Sequence, residues 1–238
     1  MSSSSSKITV GIIGFGAFGC LLANHLSPHV SLCIRDTARA VARLESGAEY
    51  PCASLEEMAG CEYIVLAVPV SEIGRVSRDL APLLRAGTTV VDVGSVKVAP
   101  TEAMRAELPA HVGIVGTHPL FGPQSARTGL RGLKIAICPV RGTGHRHIAA
   151  FLKSVFRLRT IITTAEAHDR EAATVQGLTH LIAKVMVEME PLPTKLTTVS
   201  YDLLIEAINM VKDECARCHR AGQSFFDWRA GRIFHQGR

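Results

Sequence analysis

The run Ile8-Thr9-Val10-Gly11-Ile12-Ile13-Gly14-Phe15-Gly16-Ala17-Phe18-Gly19 decides how this chain is read. Its first seven residues are nearly all apolar, as a strand buried on both faces requires. A glycine-rich turn follows, then a helical pattern over 17–26 that ends near Pro28. Strand, glycine turn and helix in that order form a site for a dinucleotide pyrophosphate. Gly14 permits the tight turn, Gly16 lets the backbone approach the phosphates, and Gly19 lets the helix pack closely on the strand. The helix N-terminus adds unpaired N–H groups and the positive end of its dipole. On this reading Gly14, Phe15, Gly16, Ala17, Phe18 and Gly19 hold the cofactor.

Working outward, a second strand over 30–36 ends in Asp36. An acid there hydrogen-bonds the ribose 2′-OH and repels a 2′-phosphate, which favours NAD over NADP. Arg35 and Arg39 keep NADP open, since an arginine can clamp that phosphate. Asp36 can equally cap the helix expected over 37–46, which Gly47 would stop. Further strands are expected at 63–69, 88–93, 113–115, 133–138 and 159–163, with helices at 71–84 (Ser71 as N-cap), 101–108 and 145–156. Val68 and Pro69, at a strand end, face the cofactor crevice. Alternating strands and helices imply an α/β fold, a doubly wound, mainly parallel sheet of the Rossmann type.

Beyond residue 165 the strand signals stop. One helical pattern covers 165–190, closed by Pro191 and Pro193, and a second covers 198–212. The expected organisation is a dinucleotide-binding domain at 7–164, a smaller helical domain at 165–214 and an atypical tail at 215–238. Two helices bury little alone, so the helical domain is expected to pair with a second copy in a homodimer.

Bulk properties narrow the class. Of 238 residues, 47% are hydrophobic and 20% charged, and no apolar run reaches the ~20 residues of a membrane helix. Residues 1–7 read as a polar leader, not a secretion signal. The net charge of +5 is scattered and aromatic content is 5%, unlike a nucleic-acid face with clustered cations and stacking rings. Seven cysteines, an odd number, read as free thiols of a cytoplasmic protein. A small-molecule substrate is therefore expected, with neither nucleic acid nor membrane as partner.

The candidate chemistry lies downstream, in Gly116-Thr117-His118-Pro119-Leu120-Phe121-Gly122-Pro123-Gln124. It puts a histidine where an apolar strand gives way to a Gly/Pro loop, the sheet edge at which α/β proteins bind ligands. Hydride leaves a carbinol carbon readily only when the hydroxyl proton is also taken up, and a neutral imidazole suits that task. Ser95, in Asp92-Val93-Gly94-Ser95-Val96-Lys97, can exchange a hydrogen bond with the same hydroxyl. Lys97 reads as a solvated charge.

These two runs, followed by His168-Asp169 and Gln176-Gly177-Leu178-Thr179-His180, resemble the prephenate/arogenate dehydrogenases of tyrosine biosynthesis, over about residues 7–212. The resemblance implies NAD(P)-dependent oxidative decarboxylation of a cyclohexadienol, with a Rossmann domain and a helical dimerisation domain. It implies that His118 takes the hydrogen bond or proton of the ring C4 hydroxyl and that Ser95 orients both. His180 would lie near the active site, and Gln124 and Ser125 would reach substrate carboxylate or hydroxyl groups. A 3-hydroxyacid dehydrogenase of the same two-domain plan, and a cofactor-binding dimer without turnover, are the alternatives.

Two departures stand out. Many bacterial members grip the substrate carboxylate with an arginine. The matching stretch here, Thr198-Val199-Ser200-Tyr201-Asp202-Leu203-Leu204, has none and is closer to the plant-type pattern, leaving Lys195 as the candidate. The tail at 215–238 carries five arginines against one acid, Asp227. Within it, Cys215-Ala216-Arg217-Cys218-His219 has the spacing of a c-type haem attachment site, which reads as a coincidence in a chain without an export signal.

Overall fold

The computed structural model describes residues 7–220 and the strand pairs at 226–227 and 232–233. The chain divides into two compact units, Met1–Glu166 and Ala167–Arg238.

The first unit opens with β1 (Thr9–Ile13), α1 (Ala17–Leu26) and β2 (Ser31–Arg35). Then come β3 (Val41–Arg43), β4 (Glu49–Pro51), α2 (Leu55–Ala59), β5 (Tyr63–Leu66) and α3 (Val70–Leu80) with a 3-10 turn at Ala81–Leu83. After β6 (Thr89–Asp92) follow α4 (Val98–Glu107), β7 (Gly113–Pro119), β8 (Lys134–Arg141), α5 (Gly144–Ser154) and β9 (Arg159–Ile162). Seven strands form one sheet in the order β2-β1-β5-β6-β7-β8-β9. All neighbours run parallel except β7 and β8.

Alternation along the strands builds the two faces. Ile64, Leu66, Val90 and Ile114 pack with Met58, Ile73, Leu80 and Met104 of α2, α3 and α4. Their neighbours Val65, Val91 and Val115 pack on the opposite face with Ala23 and Leu26 of α1 and with Ile148, Phe151 and Leu152 of α5. Both faces are covered at the central strands β1, β5, β6 and β7, which are buried along nearly their whole length. Between α1 and α5 an apolar slit of about 190 Å³ remains, lined by Phe18, Leu22, Val65, Val91, Phe151 and others.

Three local readings need correcting. Residues 37–46 do not form a helix: β3 and β4 make a short antiparallel hairpin in their place. Burial alternates, with Ala42 and Leu44 in the core and Val41 and Arg43 exposed. Gly47 has φ 85° and closes the hairpin turn, with Leu44 N–H donating to Ala48 O at 2.9 Å, and Arg43 meets Glu49 across it at 2.8 Å. Asp36 therefore caps no helix. Ser71 is not an N-cap either; it lies inside α3, whose cap position is Pro69 without a side-chain bond. Third, β7 reaches Pro119 because β8 pairs with it as far as Pro119↔Ile135, so His118 sits within the strand, opposite Ala136. In the first unit the helix α2 is additional: Ser54 and Glu57 form a reciprocal capping box that starts it, a pattern legible in Ser54-Leu55-Glu56-Glu57.

The second unit carries most of α6 (Ala165–Glu188), then α7 (Val199–Arg220) and the antiparallel pair β10 (Phe226–Asp227) and β11 (Arg232–Ile233). Ala183, Met186 and Ile208 form a small core, with Ile182, Tyr201 and Ile205 against it. Among the described residues no helix is long and apolar enough to cross a membrane.

Candidate active site

The glycine turn is held from three sides. Gly14 has φ 98°, and a Cβ there would stand 2.4 Å from Ala67 O and 3.1 Å from Val68 Cγ1. The segment after β5, with Val68 and Pro69, thus backs directly onto the turn. Gly14 N–H donates to Arg35 O at 2.8 Å, continuing the pairing with β2. A Cβ on Gly19 would lie 2.1 Å from Gly14 O, so α1 rests on the turn with no room for a side chain. Gly16 is different: a Cβ there meets nothing within 4 Å. It is also the N-cap of α1 and supplies no side-chain cap. A tight turn, open space over its middle glycine and an uncapped helix start fit a pyrophosphate. Phe15 is in the core and Phe18 lines the slit, so at these two positions only the backbone is a candidate to meet a ligand, and the Phe15 N–H is already donated to Asp36.

Asp36 is tied to this turn. Its Oδ2 accepts from Phe15 N–H at 2.7 Å and its Oδ1 from Ala38 N–H at 2.9 Å. Arg35 is turned away, donating to Ala53 O at 2.8 Å. Arg39 lies over the Phe15 ring, 5.7 Å from its centroid. Of the two arginine side chains, that of Arg39 is therefore the one beside the turn.

Ser95 and His118 lie at the C-terminal ends of adjacent parallel strands, β6 and β7, on the edge that carries the glycine turn. His118 is buried. Ser95 Oγ is also buried and has no hydrogen-bond partner among the described residues. A buried hydroxyl left in that state is costly unless something else bonds it, as a substrate hydroxyl at this edge could.

Lys97 is not a solvated charge. It is 0% exposed, and its ammonium donates to Asp92 Oδ1 and, at 2.6 Å, to Thr117 O. Thr117 Oγ1 donates back to Asp92 O at 2.7 Å. This buried network was missed in the sequence, although a lysine set among Val93, Val96 and Val98 was its signal.

The other candidates fall as follows. Ser125 Oγ is engaged in its own turn, accepting from Gly122 N–H at 3.0 Å and donating to Gly122 O at 3.2 Å. Gln124 beside it is half-buried. In the second unit, His180 stands half-buried on α6, and burial holds its imidazole below the usual range. His168 Nδ1 lies 2.8 Å from Asp169 Oδ1. Lys195 is exposed between α6 and α7. The side chains of Cys215–His219, and the tail features beyond Arg220 apart from the backbone of β10 and β11, lie outside the described residues.

A "probable arogenate/prephenate dehydrogenase" of Methanocaldococcus jannaschii is 27% identical over 180 residues, 70% of this chain and 39% of that protein. "Arogenate dehydrogenase 1, chloroplastic" of Arabidopsis thaliana is 28% identical over 214 residues, 85% of this chain and 33% of that one. The chain thus spans between a third and two fifths of the length of these relatives. Among solved structures, prephenate dehydrogenase from A. aeolicus in complex with hydroxyphenyl propionate and NAD+ superposes with a TM-score of 0.64 at 19% identity, covering 93% of this chain and 80% of that one. Residues 19–163 match the family model described as "Prephenate dehydrogenase, nucleotide-binding domain", and the chain belongs to that family.

Proposed function

We propose that this chain catalyses the NAD(P)-dependent oxidative decarboxylation of prephenate or arogenate. The observation that carries the proposal is the pair of buried groups at one sheet edge, His118 on β7 and the unpartnered Ser95 hydroxyl after β6, beside a turn shaped for a dinucleotide. The turn Gly14–Gly19 would hold the pyrophosphate through the start of α1 at Gly16, since the N–H groups of Gly14 and Phe15 donate to Arg35 O and Asp36 Oδ2, and the segment of Val68 and Pro69 would back it. When bound, the nicotinamide supplies a hydride acceptor. His118 takes the C4 hydroxyl proton as the C4–H bond breaks. Loss of the ring carboxylate as CO2 then aromatises the ring, and His118 returns the proton to the phenolic oxygen. Ser95 orients the hydroxyl and the imidazole. No net proton is released, so the chain's main task is to position one carbon and one proton.

The same reading extends to assembly. On α6, Val175, Leu178, Leu181 and Val185 are exposed at helical spacing. That apolar stripe fits pairing with a second copy of this chain as a homodimer.

The direct test is nicotinamide reduction with NAD or NADP crossed against prephenate or arogenate. Turnover is expected in at least one combination. Cofactor binding without turnover in all four would sink the proposal and favour the non-catalytic dimer.

Within that grid NAD is expected to be preferred, because Asp36 presents a carboxylate at the turn. Asp36→Asn keeps an acceptor for Phe15 N–H, gives up the bond from Ala38 N–H and removes the charge, leaving Arg39 to attract a 2′-phosphate. The ratio of kcat/KM for NADP to that for NAD should rise about tenfold, corresponding to about 1.4 kcal/mol of discrimination. An unchanged ratio would remove Asp36 from cofactor selection.

A further inference from the structure

We infer that Lys97 is a positioning residue for the proposed reaction: its buried ion pair with Asp92 clamps the loop bearing Ser95 to the strand end bearing His118. This rests on the function proposed above. The clamp has two opposed bonds. Lys97 Nζ donates from the loop after β6 to Thr117 O, the carbonyl of the peptide bond that leads into His118, at 2.6 Å. Thr117 Oγ1 donates from β7 to Asp92 O, where that loop begins, at 2.7 Å. The loop is also folded back on the carboxylate, since Gly94 N–H donates to Asp92 Oδ1 at 2.9 Å. Thr101 Oγ1, donating to Lys97 O at 2.6 Å, fixes the loop's far end to the first turn of α4. Ser95 lies between these anchors and has little freedom to move relative to His118.

The sequence around the pair is shaped to it. A Cβ on Gly116 would stand 2.9 Å from Thr101 Cγ2 and 3.3 Å from both Lys97 Cδ and Asp92 Oδ2. The glycine before Thr117 is thus required by the clamp underneath the strand. Stability alone gives a weak reason to bury two charges, because well-packed apolar residues of similar volume are often as stable or more so. An apolar pair cannot bond across to the Thr117 carbonyl. Catalysis is sensitive to misplacement of about 1 Å, and that is what the directed bonds hold against.

The test separates packing from positioning with three variants. Lys97→Met leaves Asp92 buried without its cation, and both melting temperature and kcat should fall. Asp92→Asn/Lys97→Met removes both charges, so the melting temperature should recover most of the loss, while kcat stays about 30-fold or more below wild type with KM within about threefold. Thr117→Val cuts only the reciprocal bond without removing a charge, and should lower kcat by about three- to tenfold at constant KM. Amide hydrogen exchange over residues 93–97 should speed up about tenfold or more in both variants lacking Lys97, including the one whose melting temperature recovers. Recovery of kcat together with melting temperature in the double variant would make the pair merely structural and overturn the inference. Wild-type exchange rates in the Lys97 variants, or wild-type kcat in Thr117→Val, would overturn it as well. If the wild type turns over no substrate in the grid, the functional proposal falls alone, and the exchange rates still decide whether the clamp exists.

Discussion

Replacing His118 with asparagine is expected to lower kcat by about 10²–10⁴-fold, the usual contribution of a positioned acid–base group. The argument rests on place as well as residue type. His118 is buried on β7, next to the last residue of the strand, so its position is set by sheet pairing with β6 and β8. Asparagine keeps a polar side chain and hydrogen-bonding capacity there but cannot take up a proton. Cofactor affinity should be unchanged within about threefold, because the pyrophosphate would be held by the turn between β1 and α1, to which the His118 side chain contributes no group. Steady-state turnover, with NAD binding followed by fluorescence, reads both quantities. A kcat within a few-fold of wild type would remove His118 from the chemistry. Loss of NAD binding would show that the substitution had damaged the first unit as a whole.

What was legible in the sequence, and what was not, divides along a physical line. The helix at Ala17–Leu26 lies at the expected bounds because its start is dictated by a glycine turn and its end by nearby Pro28. The central strands were legible because each is apolar on both faces, which only a covered parallel sheet allows. The hairpin of β3 and β4 was hidden: Val41 and Leu44, three apart, satisfy helical spacing, whereas strand alternation puts Ala42 and Leu44 on the buried face, and only pairing with Glu49–Pro51 decides between the two. At the candidate site, Ser95 and His118 could be singled out because their motifs are dense in chemistry-bearing residues, and the structure puts both at the ends of adjacent strands. Lys97 was misread because a lone lysine is ordinarily solvated. Its burial depends on Asp92 and on a carbonyl 20 positions downstream, a relation set by sheet order and invisible to local spacing.

The second large effect is expected at the glycine turn, where two neighbouring glycines should fail in opposite ways. Gly16→Val should fold normally and bind dinucleotide about 100-fold or more weakly, since its side chain would occupy the space the phosphates need. The structure gives the reason for the normal fold: a Cβ at Gly16 meets nothing within 4 Å, and the residue is exposed. Gly14→Ala should instead destabilise the unit by about 3 kcal/mol or more. It forces a side chain into φ 98°, and its Cβ would stand 2.4 Å from the backbone oxygen of Ala67, which no rotamer change can relieve. Thermal melts with and without NAD distinguish the two. Wild-type melting without cofactor is expected for Gly16→Val, with the NAD-induced shift abolished, because ligand stabilisation scales with the ratio of ligand concentration to Kd. Gly14→Ala should melt several degrees lower even without cofactor. If Gly16→Val retained the full NAD shift, the open space above that glycine would not be where the pyrophosphate sits. The cofactor would then have to approach the sheet edge elsewhere, and His118 and Ser95 would lose the neighbour that makes hydride transfer their chemistry.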